Sequence, residues 1–331
     1  MNSMFDTSKL VEAIDRFSEV KILIIGDVMM DEFIWGTVER ISPEAPVPVV
    51  NVTRETRVLG GAGNVINNVV SVGGQAMLAG VVGPDRMGRR IISMLQDLGS
   101  SPDGIFIDEN RPTTIKTRIV AQAQQVVRFD REKKDSLKSK MTEKILNFLN
   151  ELADSLDAVI ISDYGKGVIS LELMDGVRQS LEGQNVIITV DPQINHFLFY
   201  RNVTAITPNH YEAGAGVGVK IDSEESLEQA GNMLMDGLNL ASVLITRGEQ
   251  GMALFERDLS PVHIPVVARD VFDVSGAGDT VIAALTLGLA AGLSFQEAAA
   301  LSNFAAGIVV GKIGTAAVTA EELKAAVINI E

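Results

Sequence analysis

The stretch that decides the fold is Asp273-Val-Ser-Gly-Ala-Gly-Asp-Thr280, which leads directly into the apolar segment 281–291. Small residues at a predicted helix start leave backbone N–H groups unpaired, and with the helix dipole these groups form a site for an anion. Asp279 would repel that anion unless it accepts a proton from a hydroxyl that attacks a phosphorus held there. The alternative is a helix cap behind a flexible turn. The stretch therefore predicts either a phosphoryl-transfer site or a structural helix start.

The composition restricts the kinds of site this chain can build. Its 331 residues carry a formal net charge of −15 and include no cysteine and 3 histidines. The absence of cysteine excludes disulfides, thiolate metal sites and cysteine nucleophiles, and so few histidines argue against a multi-histidine metal centre. Because a nucleic-acid surface needs a basic face, we expect no nucleic-acid partner. A small anion can still bind in a local pocket.

The apolar segments are too short or too interrupted to indicate a membrane protein. Acidic residues interrupt the N-terminal stretch 1–20, so it lacks the pattern of a signal peptide. The longest apolar run, 280–293, is shorter than the roughly 18 residues that a span needs, and it predicts a buried helix. We therefore expect no membrane partner and a cytoplasmic location.

Short apolar runs alternate with helical patterns along most of the chain, which predicts an α/β fold with a mostly parallel central sheet and helices on both faces. The predicted strands are 21–25, 75–82, 158–161, 185–190, 203–206 and 242–246; the predicted helices are 62–72, 85–98, 141–153, 171–181, 223–235, 278–291, 295–310 and 320–328. Two strand pairs within 32–57 and 112–131 do not fit this alternation, and they predict a small β-sheet lid. We expect one domain over 1–331 with the lid strands inserted in it.

A second glycine-rich stretch, Gly60-Gly-Ala-Gly-Asn64, precedes a predicted helix. Glycines allow a ligand to approach the backbone, and the Asn64 amide offers a donor and an acceptor to a sugar hydroxyl. A structural helix start remains the alternative. The chain has no G-x-x-x-x-G-K-[ST] and no G-x-G-x-x-G motif, so any nucleotide site must use another architecture.

Together the two stretches resemble the ribokinase-like (PfkB) carbohydrate kinase family. Residues 273–284 satisfy its second signature, and residues 60–83 resemble its first, with Gly73 and Gly83 at the expected spacing. The resemblance implies a ribokinase-like fold with a β-sheet lid and transfer of a phosphoryl group from ATP to a sugar hydroxyl. It also implies Mg²⁺ and, in some members, K⁺ or another monovalent cation.

The resemblance implies roles for individual residues. Asp279 becomes the catalytic base, and the backbone of Gly276, Ala277 and Gly278 becomes the anion hole. Sugar contacts are implied for Asp31, Gly60, Gly61, Asn64 and Asp163, and nucleotide contacts for Asn209, Glu212, Thr246, Arg247, Gly248 and Asn303. Glu212 would act on Mg²⁺ through water, and Asp273 and Ser275 match positions that can hold a monovalent cation. Without the resemblance, Asn209-His-Tyr-Glu212 is also an ordinary helix N-cap with an acid at N3.

Four other stretches, 26–31, 40–50, 162–167 and 310–315, resemble the heptose 7-phosphate kinases of this family. That resemblance implies phosphorylation of D-glycero-β-D-manno-heptose 7-phosphate at O1, in ADP-heptose and lipopolysaccharide core synthesis. Bifunctional members add a nucleotidyltransferase domain with an H-x-G-H site, and no two histidines here show that spacing. We therefore expect no nucleotidyltransferase domain.

A phosphorylated sugar needs local positive charge. Lys116 and Arg118 lie two apart and share a strand face, Arg128 lies on the neighbouring lid strand, and Lys166 follows a predicted strand. We hypothesise that Lys116 and Lys166, helped by Arg118 or Arg128, hold the 7-phosphate. The alternative is solvated surface charge.

Two other functions stay open, namely a kinase of this fold with another sugar, sugar phosphate or nucleoside as substrate, and a non-catalytic sugar- or nucleotide-binding regulator. The intact 273–279 motif argues against the regulator, since a binding protein needs no base. The lid strands carry apolar residues such as Ile34, Trp35 and Val47 beside exposed sheet edges, which predicts a homodimer through the lid.

Overall fold

The structure, a computed structural model, describes residues 6–122, 124–267, 271–312, 314 and 316–329. Its strands are β1 (Lys21–Gly26), β2 (Val28–Ile41), β3 (Pro48–Gly61), β4 (Gln75–Val82), β5 (Ile105–Ile107), β6 (Thr114–Ala121), β7 (Gln124–Arg131), β8 (Ala158–Ser162), β9 (Ile187–Asp191), β10 (Ala205–Ile206), β11 (Ser242–Thr246), β12 (Met252–Glu256) and β13 (Val262–Ile264). Its helices are α1 (Thr7–Asp15), α2 (Ala62–Ser71), α3 (Arg86–Asp97), α4 (Ser139–Leu152), α5 (Leu171–Ser180), α6 (His210–Val217), α7 (Glu224–Leu238), α8 (Ala277–Ala290), α9 (Phe295–Val310) and α10 (Ala320–Ile328).

The central sheet has the strand order β13-β12-β11-β10-β9-β8-β1-β4-β5. Its strands from β11 to β5 in this order pair in parallel, whereas β12 and β13 are antiparallel additions at one edge. Strand β1 is apolar on both faces: Ile22 and Ile24 pack into one core cluster, and Leu23 and Ile25 pack into the other. This placement confirms the predicted mostly parallel sheet, because continuous apolar strands need cover on both sides.

The helices form two layers that bury the faces of this sheet. Helices α1, α2, α3, α8, α9 and α10 contribute to one cluster, and α4, α5, α6 and α7 contribute to the other. Helix α8 is buried along almost its whole length, as the apolar run 280–293 predicted. A helix that is apolar all round belongs inside the core, so its N-terminus is fixed by the surrounding packing.

A second sheet has the strand order β3-β2-β6-β7. Strands β2 and β3 are both longer than the sequence suggested, and β2 begins among buried residues and ends in solvent. Strand β2 pairs in parallel with β6 and antiparallel with β3, and β6 pairs antiparallel with β7. The predicted small sheet is thereby confirmed, while its role as a lid stays a prediction.

The main differences from the sequence prediction concern short strands. Strands β5, β12 and β13 were not predicted, since they have only three to five residues and lie in stretches without clear alternation. Residues 313 and 315 of the stretch 310–315 lie outside the described residues. Within the described part of the chain, none of the helices has the length and apolar character needed to cross a membrane.

Candidate active site

Asp279 lies in the first turn of α8, which begins directly after Gly276. Gly276 has φ +82°, a left-handed conformation that glycine adopts without strain. The Asp279 side chain is buried, and both of its oxygens accept hydrogen bonds. Tyr164 Oη donates to Oδ1 at 2.7 Å, and Asn64 Nδ2 donates to Oδ2 at 2.7 Å. The two predicted glycine-rich stretches therefore meet at this carboxylate.

Burial raises the pKa of Asp279 from 3.8 to about 6. The hydrogen bonds from Tyr164 and Asn64 and the positive charge of Lys116 act in the opposite direction, and the negative charge of Asp31 adds to the rise. A carboxyl group with this pKa is mostly ionised at neutral pH and holds a proton more readily than an exposed aspartate. These are the properties of a general base that works near neutral pH.

A cleft of about 470 Å³ opens beside the start of α8. Its lining includes Ala277 and Gly278 together with the predicted nucleotide residues Thr246, Gly248 and Asn303. The remaining lining is largely apolar, with valines such as Val266 and Val281 and alanines such as Ala306. A mostly apolar cleft that ends at helix N–H groups suits a flat aromatic base joined to phosphates. Within the predicted anion hole, the N–H of Ala277 donates to the carbonyl of Val274 at 3.2 Å.

The predicted sugar residues lie where β2 leaves the central domain. Asp31 Oδ1 accepts a hydrogen bond from Arg118 Nη1 at 2.6 Å, so strand β6 contributes a cation to this carboxylate. Gly60 lies beside Asp31, and a Cβ there would come within 2.5 Å of Asp31 Oδ2. Gly61 has φ +56° and leaves no room for a Cβ against the carbonyl of Asp27. Glycine is thus required at Gly61, while a side chain at Gly60 would displace the Asp31 carboxylate.

Residues 163–168 form a loop after β8, and Asp27 holds it from below. Asp27 Oδ2 accepts the N–H groups of Tyr164 and Lys166, each at 2.9 Å, and Oδ1 accepts the N–H of Val168 at 3.1 Å. Burial and then the charge of Asp163 raise the pKa of Asp27 to about 6, against these three bonds. A buried carboxylate that accepts three backbone donors fixes the path of the loop.

Asp163 does not have the role that the sequence suggested. Its side chain has 0% exposure, and it accepts hydrogen bonds from Gly165 N, Tyr200 Oη and His196 Nδ1 at 2.7 to 2.8 Å. A carboxylate without exposed surface cannot contact a substrate in this structure. We therefore correct its assignment from sugar contact to support of the loop.

Four cations, Lys116, Lys166, Arg118 and Arg128, lie near one another beside the predicted sugar residues. Burial lowers the pKa of Lys116, and the positive charges of Lys166, Arg118 and Arg128 lower it further, against the opposite effect of Asp31. Lys116 Nζ lies 4.9 Å from the centre of the Tyr164 ring. Lys166 Nζ lies 2.6 Å from a carboxylate oxygen of Glu132, directly after β7. Arg128 is paired with Asp130 and is more exposed.

A further cation, Arg111, ties the lid to the loop. Its guanidinium donates to the carbonyl of Lys166 at 3.1 Å, to the carbonyl of Asp135 at 2.9 Å and to Asp108 Oδ2 at 3.1 Å. Only 8% of its side chain is exposed. Because Arg111 precedes β6 and Asp135 follows β7, one side chain joins both ends of this hairpin to the loop that carries Lys166.

Asn209 and Glu212 form a capping box at the start of α6, which is the structural alternative considered for this motif. Asn209 is bridged to Thr246, so the motif lies next to the cleft. The Arg247 guanidinium instead points to Glu224 and Gln250, at 2.7 and 2.9 Å. Of the predicted nucleotide residues, Thr246, Gly248 and Asn303 therefore line the cleft, and Arg247 is engaged elsewhere.

The predicted cation positions join two loops. Asp273 Oδ1 accepts the N–H of Ser275 at 2.9 Å, and Oδ2 accepts the N–H of Gly314 at 3.1 Å. Among the described residues, no group of three or more His, Asp or Glu side chains is close enough to hold a metal by itself.

Asp191 is an acidic residue that was not predicted to have a role in the site. Its pKa is raised well above 3.8 by burial and by the negative charges of Asp279, Glu212 and Asp163. Tyr164, Asp27 and Arg111 were also missed as parts of the site. The position of Asp27 and Asp191 at strand ends was a usable signal, whereas nothing in the sequence indicated the contacts of Tyr164 and Arg111.

Comparison with known proteins places this geometry in a family. Residues 20–322 match the pfkB family carbohydrate kinase. The bifunctional protein HldE of Geobacter metallireducens is 47% identical over 305 residues, which are 92% of this chain and 62% of that protein. HldE of Geotalea uraniireducens is 46% identical over 308 residues, 93% of this chain and 63% of that protein. The chain thus spans less than two thirds of the length of these relatives.

Solved structures share the fold. Arabidopsis thaliana ribokinase complexed with ribose and ATP has a TM-score of 0.74 at 18% identity, covering 93% of this chain and 98% of that one. Escherichia coli phosphofructokinase-2 in complex with potassium has a TM-score of 0.78 at 18% identity, with coverage of 93% and 98%. The match over residues 20–322 shows that the chain belongs to the pfkB family of carbohydrate kinases, which transfer a phosphoryl group to a sugar hydroxyl.

Proposed function

We propose that this chain transfers the γ-phosphoryl group of ATP to O1 of D-glycero-β-D-manno-heptose 7-phosphate, as part of ADP-heptose and lipopolysaccharide core synthesis. The observation that carries the proposal is the placement of Asp279, a buried carboxylate with a pKa of about 6, between the anion-binding helix start and a corner that carries four cations. The similarity to HldE proteins over almost the whole chain supports the choice of sugar.

In the proposed reaction, Asp279 accepts the proton of the O1 hydroxyl while O1 forms a bond to the γ-phosphorus. The bond between that phosphorus and the bridging oxygen breaks, and ADP leaves. The N–H groups of Gly276 and Gly278, at the start of α8, would face the charge that develops on the transferred group, whereas the N–H of Ala277 already donates to the carbonyl of Val274. The cleft lined by Thr246, Gly248 and Asn303 takes the adenine.

The acidic residues around the transfer site fit a divalent cation. The negative charges of Asp279 and Glu212 raise the pKa of Asp191, and a bound cation would relieve that repulsion. When bound, Mg²⁺ supplies charge neutralisation to the phosphates, and Glu212 and Asp191 would hold it through water. Asp273 and Ser275 remain the proposed position of a monovalent cation, in line with the potassium in phosphofructokinase-2.

Lys116 and Lys166 are the proposed ligands of the sugar 7-phosphate. Lys116 lies over the Tyr164 ring and is partly desolvated there, and Lys166, on the loop 163–168, is close enough for its charge to lower the pKa of Lys116. Positive charges whose mutual repulsion lowers a lysine pKa favour an arriving dianion. Arg118 is already engaged by Asp31, which suits a role in orienting that carboxylate toward sugar hydroxyls.

The experiment is an ADP-release assay with heptose 7-phosphate, ribose, fructose phosphates and adenosine as acceptors. We expect the highest kcat/KM with heptose 7-phosphate and a large rise of its KM in Lys116→Ala and Lys166→Ala. Preference for another acceptor would assign the chain to a different kinase specificity. The absence of any acceptor-dependent ADP release would favour a binding protein, and unchanged KM values would remove the two lysines from the site.

We also infer a homodimer through the lid. Several lid side chains are large, apolar and exposed, namely Ile41, Val47, Val52, Val127 and Phe129. Exposed apolar residues on a sheet with open edges are typical of a surface that a second copy covers.

A further inference from the structure

The Tyr164 hydroxyl makes a direct contact with the proposed base. Tyr164 Oη lies 2.7 Å from Asp279 Oδ1, and the contact joins the loop after β8 to the start of α8. Asn64 Nδ2 occupies the other oxygen at 2.7 Å. With one donor on each oxygen, the plane of the carboxylate is fixed. Each oxygen keeps a second lone pair, which can accept the proton of a sugar hydroxyl.

Tyr164 stays a hydrogen-bond donor over the whole working pH range. Its pKa is raised well above 10 by burial and then by the negative charges of Asp279 and Asp191. A protonated phenol next to a carboxylate donates its hydrogen, because the ionised carboxylate can only accept. The contact therefore stabilises the ionised form of Asp279.

The position of the Tyr164 ring leaves little freedom for the hydroxyl. The backbone N–H of Tyr164 donates to Asp27 Oδ2 at 2.9 Å, which fixes the loop beneath the ring. Lys116 Nζ lies over one ring face, 4.9 Å from its centre. A Cβ on Gly61 would come within 3.4 Å of Tyr164 Cδ2, so the glycine backbone packs closely against the ring. The ring is thus held between the loop, a lid strand and the end of β3.

We propose that Tyr164 is a positioning residue for Asp279, whose hydroxyl holds the carboxylate ionised and oriented toward the attacking sugar hydroxyl. This role rests on the proposed function of Asp279 as the base. It also explains why this buried acid can still lose its proton at neutral pH: the hydrogen bonds from Tyr164 and Asn64 and the charge of Lys116 partly offset the effects of burial and of Asp31.

The test is the pH dependence of kcat/KM in Tyr164→Phe, which removes the hydroxyl and keeps the ring beneath Lys116. In the wild type, kcat/KM should fall at low pH with a pKa of about 6, which is the acid limb of the profile. Loss of one charge-assisted hydrogen bond to Asp279 should raise that pKa to about 7. The kcat/KM of Tyr164→Phe should then be about fivefold below that of the wild type at pH 6. Above about pH 8.5, the part of the difference that comes from protonation of Asp279 should vanish. Tyr211→Phe is the matched control, because it removes the hydroxyl of a tyrosine that is 76% exposed. An acid limb that stays in place in Tyr164→Phe would overturn the proposal.

A second measurement separates a positioning role from a loss of folding. Replacement of Tyr164 by a fluorotyrosine makes the phenol a stronger donor and should shift the acid limb to lower pH. A merely structural tyrosine would leave the limb unmoved. Carboxyl ¹³C NMR of wild-type protein, with Asp279→Asn for assignment, reports the pKa of Asp279 without any substrate.

The two proposals can fail separately. A wild-type protein that phosphorylates no sugar phosphate would refute the proposed function, and the NMR titration would still test Tyr164. An Asp279 pKa that does not rise in Tyr164→Phe would refute the role of Tyr164, even if the kinase assay succeeds.

Discussion

Replacement of Asp279 by asparagine should stabilise the protein while it removes catalysis. The folded-state pKa of about 6 lies above the ordinary value of 3.8, so the folded protein takes up this proton more readily than the unfolded chain. The free energy of unfolding contributed by Asp279 is therefore greatest at low pH and is lost as the pH rises through 6. Above that pH, the ionised carboxylate costs roughly 3 kcal/mol, at about 1.36 kcal/mol for each unit.

Asparagine fits the same hydrogen bonds without the charge. Its amide oxygen can accept from Asn64 Nδ2, and its NH₂ group can donate to the Tyr164 hydroxyl, which is able to accept as well as donate. The free energy of unfolding of the variant should therefore exceed that of the wild type by up to roughly 3 kcal/mol at pH 8 and by only about 0.5 kcal/mol at pH 4. For a chain of this size the gain corresponds to about 4 °C in Tm. Its kcat should fall by several orders of magnitude.

The assay is thermal or urea unfolding of both proteins between pH 4 and pH 8.5, with ADP release measured in parallel. Asp236→Asn is the control, since Asp236 is exposed on α7 and should show no such pH-dependent gain. The reasoning fails if Asp279→Asn is less stable than the wild type at pH 8, or if its gain is the same at every pH. Near-normal turnover would refute the assignment of Asp279 as the base.

Three further changes test other parts of the site. Arg111→Ala should raise KM for the sugar phosphate about tenfold with little change for ATP, and millimolar guanidine should restore part of the loss; equal effects on both substrates would contradict the link to the loop. Asn303→Leu should raise KM for ATP about tenfold and leave KM for the sugar unchanged, since Asn303 lines the proposed nucleotide cleft. Phe129→Asp should convert a dimer into a monomer by size-exclusion chromatography with light scattering, whereas an unchanged mass would argue against the lid interface.

The parts of the fold that follow from local sequence patterns were predictable. Helices α9 and α10 and strands β4 and β11 begin and end where the periodicity placed them. Their apolar residues recur at fixed spacing, and caps such as Ser294 and Thr319 mark the helix starts. Short edge strands such as β13 escaped prediction, because three residues carry too little pattern.

Within the site, the sequence identified residue types but not their contacts. Asp279 and the surrounding glycines stand out because their chemistry is unusual at a helix start. Asp163 has the same strand-end position as a ligand-binding acid, yet its bonds to Tyr200 and His196 turn it into a support. Such a distinction depends on which distant segments fold against each other. Tyr164, 115 positions from Asp279, illustrates the same limit.

The irregular positions of the second sheet determine where it can bend. Strand β2 pairs regularly with β3 from Val28 to Trp35, and the register shifts only beyond that point, at Trp35/Gly36 and Val38/Arg40. The partner ladder between β6 and β7 shifts at Ile119/Val120, at a similar distance from the core. The inner half of the sheet, which carries Asp31 and Lys116, is therefore regularly paired and rigid, and bending is confined to the outer half. Docking of a second copy on that outer half could thus change the shape of the sheet without displacing Asp31 and Lys116, the residues proposed to contact the sugar phosphate.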